Sequence, residues 1–61
     1  MILLTKLDGN RIILNLDTIK YIEKIPDTLV TFVNGDSVIV KETLENIISK
    51  TIEYKNKIIH N

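Results

Sequence analysis

The chain has no cysteine, one histidine, one proline and two glycines, and its acidic and basic side chains cancel to a net charge of zero. Each scarcity excludes something. Without cysteine there is no disulfide, and without a His or Cys cluster there is no structural metal centre. The two glycines lie in Asp8-Gly9-Asn10 and Asn34-Gly35, neither of which belongs to a phosphate-binding loop. His60 is one residue from the end of the sequence and has no oriented second group for acid-base work. Ser37 and Ser49 have no His or Lys at triad spacing, and a nucleophile without a base is inert. Of Asp8, Asp17, Asp27 and Asp36, three fall in turns, where Asp is favoured for its bonds to local backbone. The sequence therefore offers no catalytic, cofactor-binding or metal-binding residue, and an enzyme is not expected.

Charge and hydropathy narrow the field further. Eight basic and eight acidic residues are mixed along the chain, which gives neither a broad basic field for nucleic acid nor a polyacidic tail. No apolar run approaches the roughly 18 residues of a membrane span. Met1-Ile-Leu-Leu is followed at once by Thr5, Lys6 and Asp8, so it reads as a first strand and not as a targeting segment. A cytoplasmic protein, peripheral at most to a membrane assembly, is the expectation. Residues 1–61 are read as one domain, and a domain of this size buries only about 60% of the surface its unfolded chain exposes. With disulfides and metal excluded, oligomerisation is the remaining common support, and a homodimer or homotrimer is expected.

What is present is a regular alternation of short strands and turns. Ile2 to Leu7 and Arg11 to Asn15 form a hairpin about Asp8-Gly9-Asn10. A two-residue turn there would set Lys6 opposite Arg11, so like-charge repulsion favours a longer loop. Asp17-Thr18 breaks the pattern and caps a single turn. Ile19 to Ile25 is a third strand, stopped by Pro26, which lacks the N–H a ladder needs. Asn34-Gly35 reads as a two-residue type I′ turn that pairs Thr31 with Val38, Val30 with Ile39 and Leu29 with Val40. That register puts Leu29, Thr31, Val33, Val38 and Val40 on one face and Val30, Phe32 and Ile39 on the other. Thr43 is a good N-cap, with Glu42 and Glu45 against the positive end of a helix dipole. Leu44, Ile47, Ile48, Thr51, Ile52, Lys55, Ile58 and Ile59 then form one stripe. Asn46, Ser49, Lys50, Glu53, Asn56 and Lys57 form the polar side. The fold class is α+β, a small antiparallel sheet of four to five strands with one C-terminal amphipathic helix. Both faces of the hairpins are apolar and one helix covers only one, which again calls for a partner.

The order of these pieces is similar to that of a known family. Met1-Ile-Leu-Leu-Thr5, Leu14-Asn15, Tyr21-Ile22-Glu23, Pro26-Asp27-Thr28, Asn34-Gly35, Val40-Lys41-Glu42-Thr43 and Ile52-Glu53-Tyr54-Lys55 together resemble the FlbD/SwrD family of small bacterial flagellar proteins, over nearly the whole chain and without gaps. The resemblance implies a cytoplasmic accessory of flagellar motility. In swarming Gram-positive bacteria the family is associated with motor power, through the stator units that generate torque. It carries over no catalytic residue, so the matching positions Glu23, Pro26, Asp27, Thr28, Gly35, Lys41 and Glu42 are candidates for fold or contact, and all of these but Gly35 for contact with a flagellar motor or stator protein. Lys50, Glu53 and Lys57 on the polar helix face are candidate rim charges of such a contact. Pro26-Asp27-Thr28 also orders the connection between the third and fourth strands.

A rival likeness is to the carbon-storage-regulator type of RNA-binding dimer, which has five strands, a C-terminal helix and an aliphatic first strand. It fails at the working residues. That family reads RNA with a basic segment around Arg-Glu-Glu-Ile before the helix, where this chain has Lys41-Glu42-Thr43-Leu44 and a single arginine in all, Arg11. A neutral domain without a basic stripe binds phosphate poorly. A purely structural oligomerisation module is the third reading.

Overall fold

The computed structural model describes the backbone from Met1 to Ile59 and the side chains from Met1 to Asn56. Five strands and one helix follow in order: β1 (Ile2–Thr5), β2 (Arg11–Leu14), β3 (Ile19–Lys24), β4 (Thr28–Phe32), β5 (Ser37–Val40) and α1 (Leu44–Ile59), with a 3-10 turn at Leu16–Thr18 before β3. β1 pairs with β2, and β3, β4 and β5 form a three-stranded sheet in that order, all antiparallel. A bridge between Lys6 and Val40 links the two sheets. The α+β class expected from the sequence is the class found.

The β1–β2 and β4–β5 hairpins turn on the same three-residue loop. In the first, the Lys6 N–H donates to the Asn10 carbonyl (2.8 Å) and the Gly9 N–H to the Lys6 carbonyl (3.0 Å). In the second, Phe32 and Asp36 make the equivalent bond at 2.8 Å and Gly35 donates to Phe32 at 2.9 Å. Each loop is a type I turn closed by a glycine of positive φ, 92° at Gly9 and 95° at Gly35. The polar side chains mirror one another. Asp8 Oδ1 accepts from the Asn10 N–H (2.9 Å), and Asn34 Oδ1 accepts from the Asp36 N–H (2.9 Å). The Asn10 N–H, the nearby Lys6 charge and the Asn10 side-chain amide hold the Asp8 carboxyl below its usual pKa.

The longer first loop preferred on charge grounds is thus present, and Thr5, not Lys6, stands opposite Arg11. The second hairpin corrects the sequence reading. A type I′ turn needs positive φ at both central residues, and Asn34 does not have it. The register moves by one: Thr31 pairs with Ser37, Val30 with Val38, Leu29 with Ile39 and Thr28 with Val40. Because side chains alternate, that single step carries all of β5 to the opposite face. Val30, Phe32, Val38 and Val40 now face inward together, and Leu29, Thr31 and Ile39 face outward.

The core consists of Ile2, Leu4, Leu14, Val30, Val40 and Ile47, with Ile12, Leu16, Ile19, Ile22, Phe32 and Val38 packed around it. Ile19 and Ile22 are three apart, which strict alternation would put on opposite faces. A bulge between Ile19 and Tyr21 resolves this. The 3-10 turn is capped by Asn15, whose Oδ1 accepts from the Asp17 N–H (3.0 Å), so the cap is Asn15 and not Asp17-Thr18. Helix α1 starts at Leu44 with Thr43 as its cap, Oγ1 accepting from the Asn46 N–H at 3.1 Å. Its contact face is narrower than the sequence stripe. Ile47 is buried and Leu44, Thr51 and Tyr54 are half-buried, while Ile48 and Ile52 are 58% and 53% exposed. Lys55 is also exposed. The helix rests mainly on β1 and β3, which offer less width than its apolar stripe occupies. The Lys57, Ile58 and Ile59 side chains and His60 lie outside the described residues.

Three substitutions test this account. Leu4 is fully buried, so Leu4→Ala should cost about 2–5 kcal/mol, comparable to the whole stability of a domain this small, and urea titration should find it largely unfolded. Exposed Val33→Ala should stay within about 0.5 kcal/mol of the parent. Gly35→Ala has open space around the new Cβ but must adopt positive φ, and should cost about 1–2 kcal/mol.

Candidate functional site

Three connections converge where β1 and β5 end. Leu7 comes from the β1–β2 loop, Pro26 and Asp27 from the β3–β4 connection with Lys24 and Thr28 at the strand ends beside it, and Lys41 and Thr43 from the β5–α1 junction with Val40 at the end of β5. Together they line an open groove of about 300 Å³. Its floor is set by pairing: Lys24 stands opposite Thr28, and Thr28 opposite Val40. The connection above it is closed by the Ile25 N–H donating to the Asp27 carbonyl (3.0 Å), and the Ile25-Pro26 peptide is cis. Pro26 and Asp27 are exposed, as an accessible loop requires, but Thr28 already belongs to β4 and is only 6% exposed. Two lysines and one aspartate stand beside Leu7 and Pro26 around this strand-end pair.

Glu42 has a different place from that expected of a contact residue. Its Oε1 accepts the Thr5 N–H at 2.8 Å, and the Lys41 N–H beside it donates to the Thr5 carbonyl at 2.8 Å. Partial burial pushes the Glu42 carboxyl up, but the bond from Thr5 and the charge of Lys50 outweigh it, and the group sits below the usual glutamate range. Glu42 therefore ties β1 to the start of the helix. Glu23, opposite Leu29 on the outward face of the sheet, is half-buried and apart from the groove.

The helix candidates gather elsewhere. Lys50 and Glu53 line a smaller hollow of about 180 Å³ with Met1, Ile2, Leu3 and Tyr54. Lys50 is half-buried there, so it is not a plain member of the polar helix side. Lys57 has no described side chain. The structure thus brings Pro26, Asp27, Thr28 and Lys41 to one groove, Lys50 and Glu53 to another, and leaves Glu23 and Glu42 outside both. Sequence reasoning missed Leu7, Lys24 and Thr43 as groove residues. Lys24 was legible in principle, two residues before Pro26 at the end of a strand.

Among the described residues no three His, Cys, Asp or Glu side chains lie close enough to hold a metal ion, and no helix is long and apolar enough to cross a membrane. Fold and surface define a small α+β domain whose distinctive features are shallow grooves at strand ends. The family model of FlbD, flagellar and swarming motility proteins, matches residues 1–59, and the chain belongs to this family. No curated protein and no solved structure matches it.

The Glu42 tie predicts a pH dependence. The folded state holds this carboxyl below its unfolded value, so its stabilisation is complete above about pH 4.3 and is lost as pH falls through the lower folded value. Glu42→Gln keeps an oxygen acceptor and loses the charge. It should cost about 1 kcal/mol at pH 7 and flatten the fall of the melting temperature between pH 5 and pH 3, measured by circular dichroism.

Proposed function

We propose that this protein is a non-enzymatic accessory of bacterial flagellar motility that supports the power of the motor, through a protein–protein contact with a motor or stator component at the Pro26-Asp27 groove. Membership of the flagellar and swarming motility family supports the process. The observation that carries the site is the convergence of exposed Pro26, Asp27 and Lys41 on one groove from two separate connections. The sequence provides no nucleophile with a base, so the reading rests on binding alone.

Two experiments test this in the motile host. Deletion should leave flagellar filaments in normal number while lowering torque in a tethered-bead assay; unchanged torque, swimming and swarming would sink the motor role. The site is tested by Asp27→Lys combined with Lys41→Glu, both exposed, leaving buried Thr28 intact. This variant should fold with an unchanged circular dichroism spectrum and reduce motility toward the deletion level. Full motility from the folded variant would remove the groove from the account.

A further inference from the structure

We propose that the chain forms a two-fold homodimer by antiparallel pairing of β2 with β2 of a second copy, in the register that sets Ile13 opposite Ile13. This stands apart from the motor reading and needs no flagellar partner.

The two outermost strands, β2 and β3, are built differently. β3 is interrupted by the bulge after Ile19, carries Lys20 and Lys24, and runs into Pro26. Bulges, lysines and proline are the devices that keep an edge strand from pairing with another chain. β2 has no bulge, lysine or proline, and its one charge, exposed Arg11, stands at its first residue. Its four pairs with β1 run in unbroken register, and β1 is its only strand partner among the described residues. The outward Ile13 is 67% exposed at its centre.

Backbone parity and facing admit only registers centred on a residue, and the one centred on Ile13 overlaps the whole open edge from Arg11 to Asn15. The Lys6 N–H bonds the Asn10 carbonyl, so Ile12 and Leu14 direct their polar groups toward β1, and Arg11, Ile13 and Asn15 direct theirs to the open edge. The same parity is visible on β1, where both polar groups of Thr5 point away from β2, to Lys41 and Glu42. A two-fold axis normal to the sheet keeps inward residues with inward ones. Only odd-numbered pairing about a central residue does this, and centring on Ile13 sets Ile12 against Leu14 of the second copy. Ile13 then exchanges two main-chain bonds with its equivalent. The Asn15 N–H meets the Arg11 carbonyl on each side of the axis. The Asn15 carbonyl is already committed to the Thr18 N–H (3.0 Å), so four bonds form across the seam.

Charge and apolar surface agree with this register. Arg11 faces Asn15 of the second copy, so no like charges meet. Leu3 pairs with Ile13 on the outer face, and joining two copies makes a continuous apolar row, Leu3-Ile13-Ile13-Leu3, across the seam. Stable interfaces cover roughly 800 Å² per partner. A four-residue edge is about 13 Å long and does not reach that alone. The dimer therefore belongs to the concentration-dependent class.

The parent chain has no cysteine, which makes the test direct. Sedimentation between about 1 and 300 µM should show conversion from one chain to two. Ile13→Lys should weaken association at least about tenfold with an unchanged circular dichroism spectrum, and Ile48→Lys, on the exposed helix side, should not. Ile13→Cys should cross-link to a dimer on mild oxidation far faster than Ile48→Cys. Cα atoms of a hydrogen-bonded antiparallel pair lie about 5.5 Å apart, within the reach of a disulfide. A single-chain mass throughout the range, a trimer, or cross-linking no faster at Ile13 than at Ile48 would overturn the proposal.

Discussion

The fold depends on how the Thr5 backbone is satisfied. Its N–H and carbonyl both point away from β2, at the place where the first hairpin leaves the core. Left without partners when buried, each would cost about 1–3 kcal/mol. Lys41 and Glu42 supply both partners at 2.8 Å, one through its main chain and one through its side chain. The next residue, Thr43, caps the helix. Four consecutive residues, Val40 to Thr43, thus fill the core, join the two sheets and start α1. The groove is a by-product of this junction, since three connections must crowd around one point.

A core of six buried side chains leaves little margin, and the backbone irregularities serve to enlarge it. The bulge beside Lys20 lets both Ile19 and Ile22 turn inward. The three-residue loop at Val33-Asn34-Gly35 sets β5 so that Val38 and Val40 join Val30. On the helix, Thr51 satisfies its hydroxyl by donating to the Ile47 carbonyl (2.9 Å), which lets a polar residue sit on the contact face. What the core cannot cover remains on the surface, as Ile13, Ile48 and Ile52 show.

The elements were legible in the sequence because their signals are local. Pro26 ends β3, Thr43 caps α1, and Lys6 with Arg11 exposes the length of the first loop. Register was less legible. Asn34-Gly35 matches the type I′ preference, yet its context, Val33-Asn34-Gly35-Asp36, repeats Leu7-Asp8-Gly9-Asn10 with the amide and acid exchanged. Phe32 and Ser37 carry no charge, so in the β4–β5 loop only this likeness marks the extra residue. The helix stripe was read too wide because periodicity reports which residues could be buried, and the width of the facing sheet decides which are. Glu42 was placed by local logic at the helix dipole, whereas its partner, Thr5, lies 37 residues away. The candidate site was half legible: its exposed turn was marked by Pro26 and Asp27, but its other wall depends on tertiary convergence.

The groove forms where β1 and β5 meet, at the interior of the strand sequence β2-β1-β5-β4-β3, while the unguarded edge is the far side of β2. The two surfaces share no residue, so pairing at Ile13 leaves Asp27 and Lys41 accessible. A two-fold dimer built in this way presents two grooves. Each alone offers a few exposed charges worth about 0–1 kcal/mol apiece and an apolar floor, a weak contact. On the dimer proposed above, two grooves held at fixed spacing would give a partner with repeated subunits a high effective concentration for the second contact. Weak sites on such a dimer would bind firmly only where the proposed partner is itself assembled.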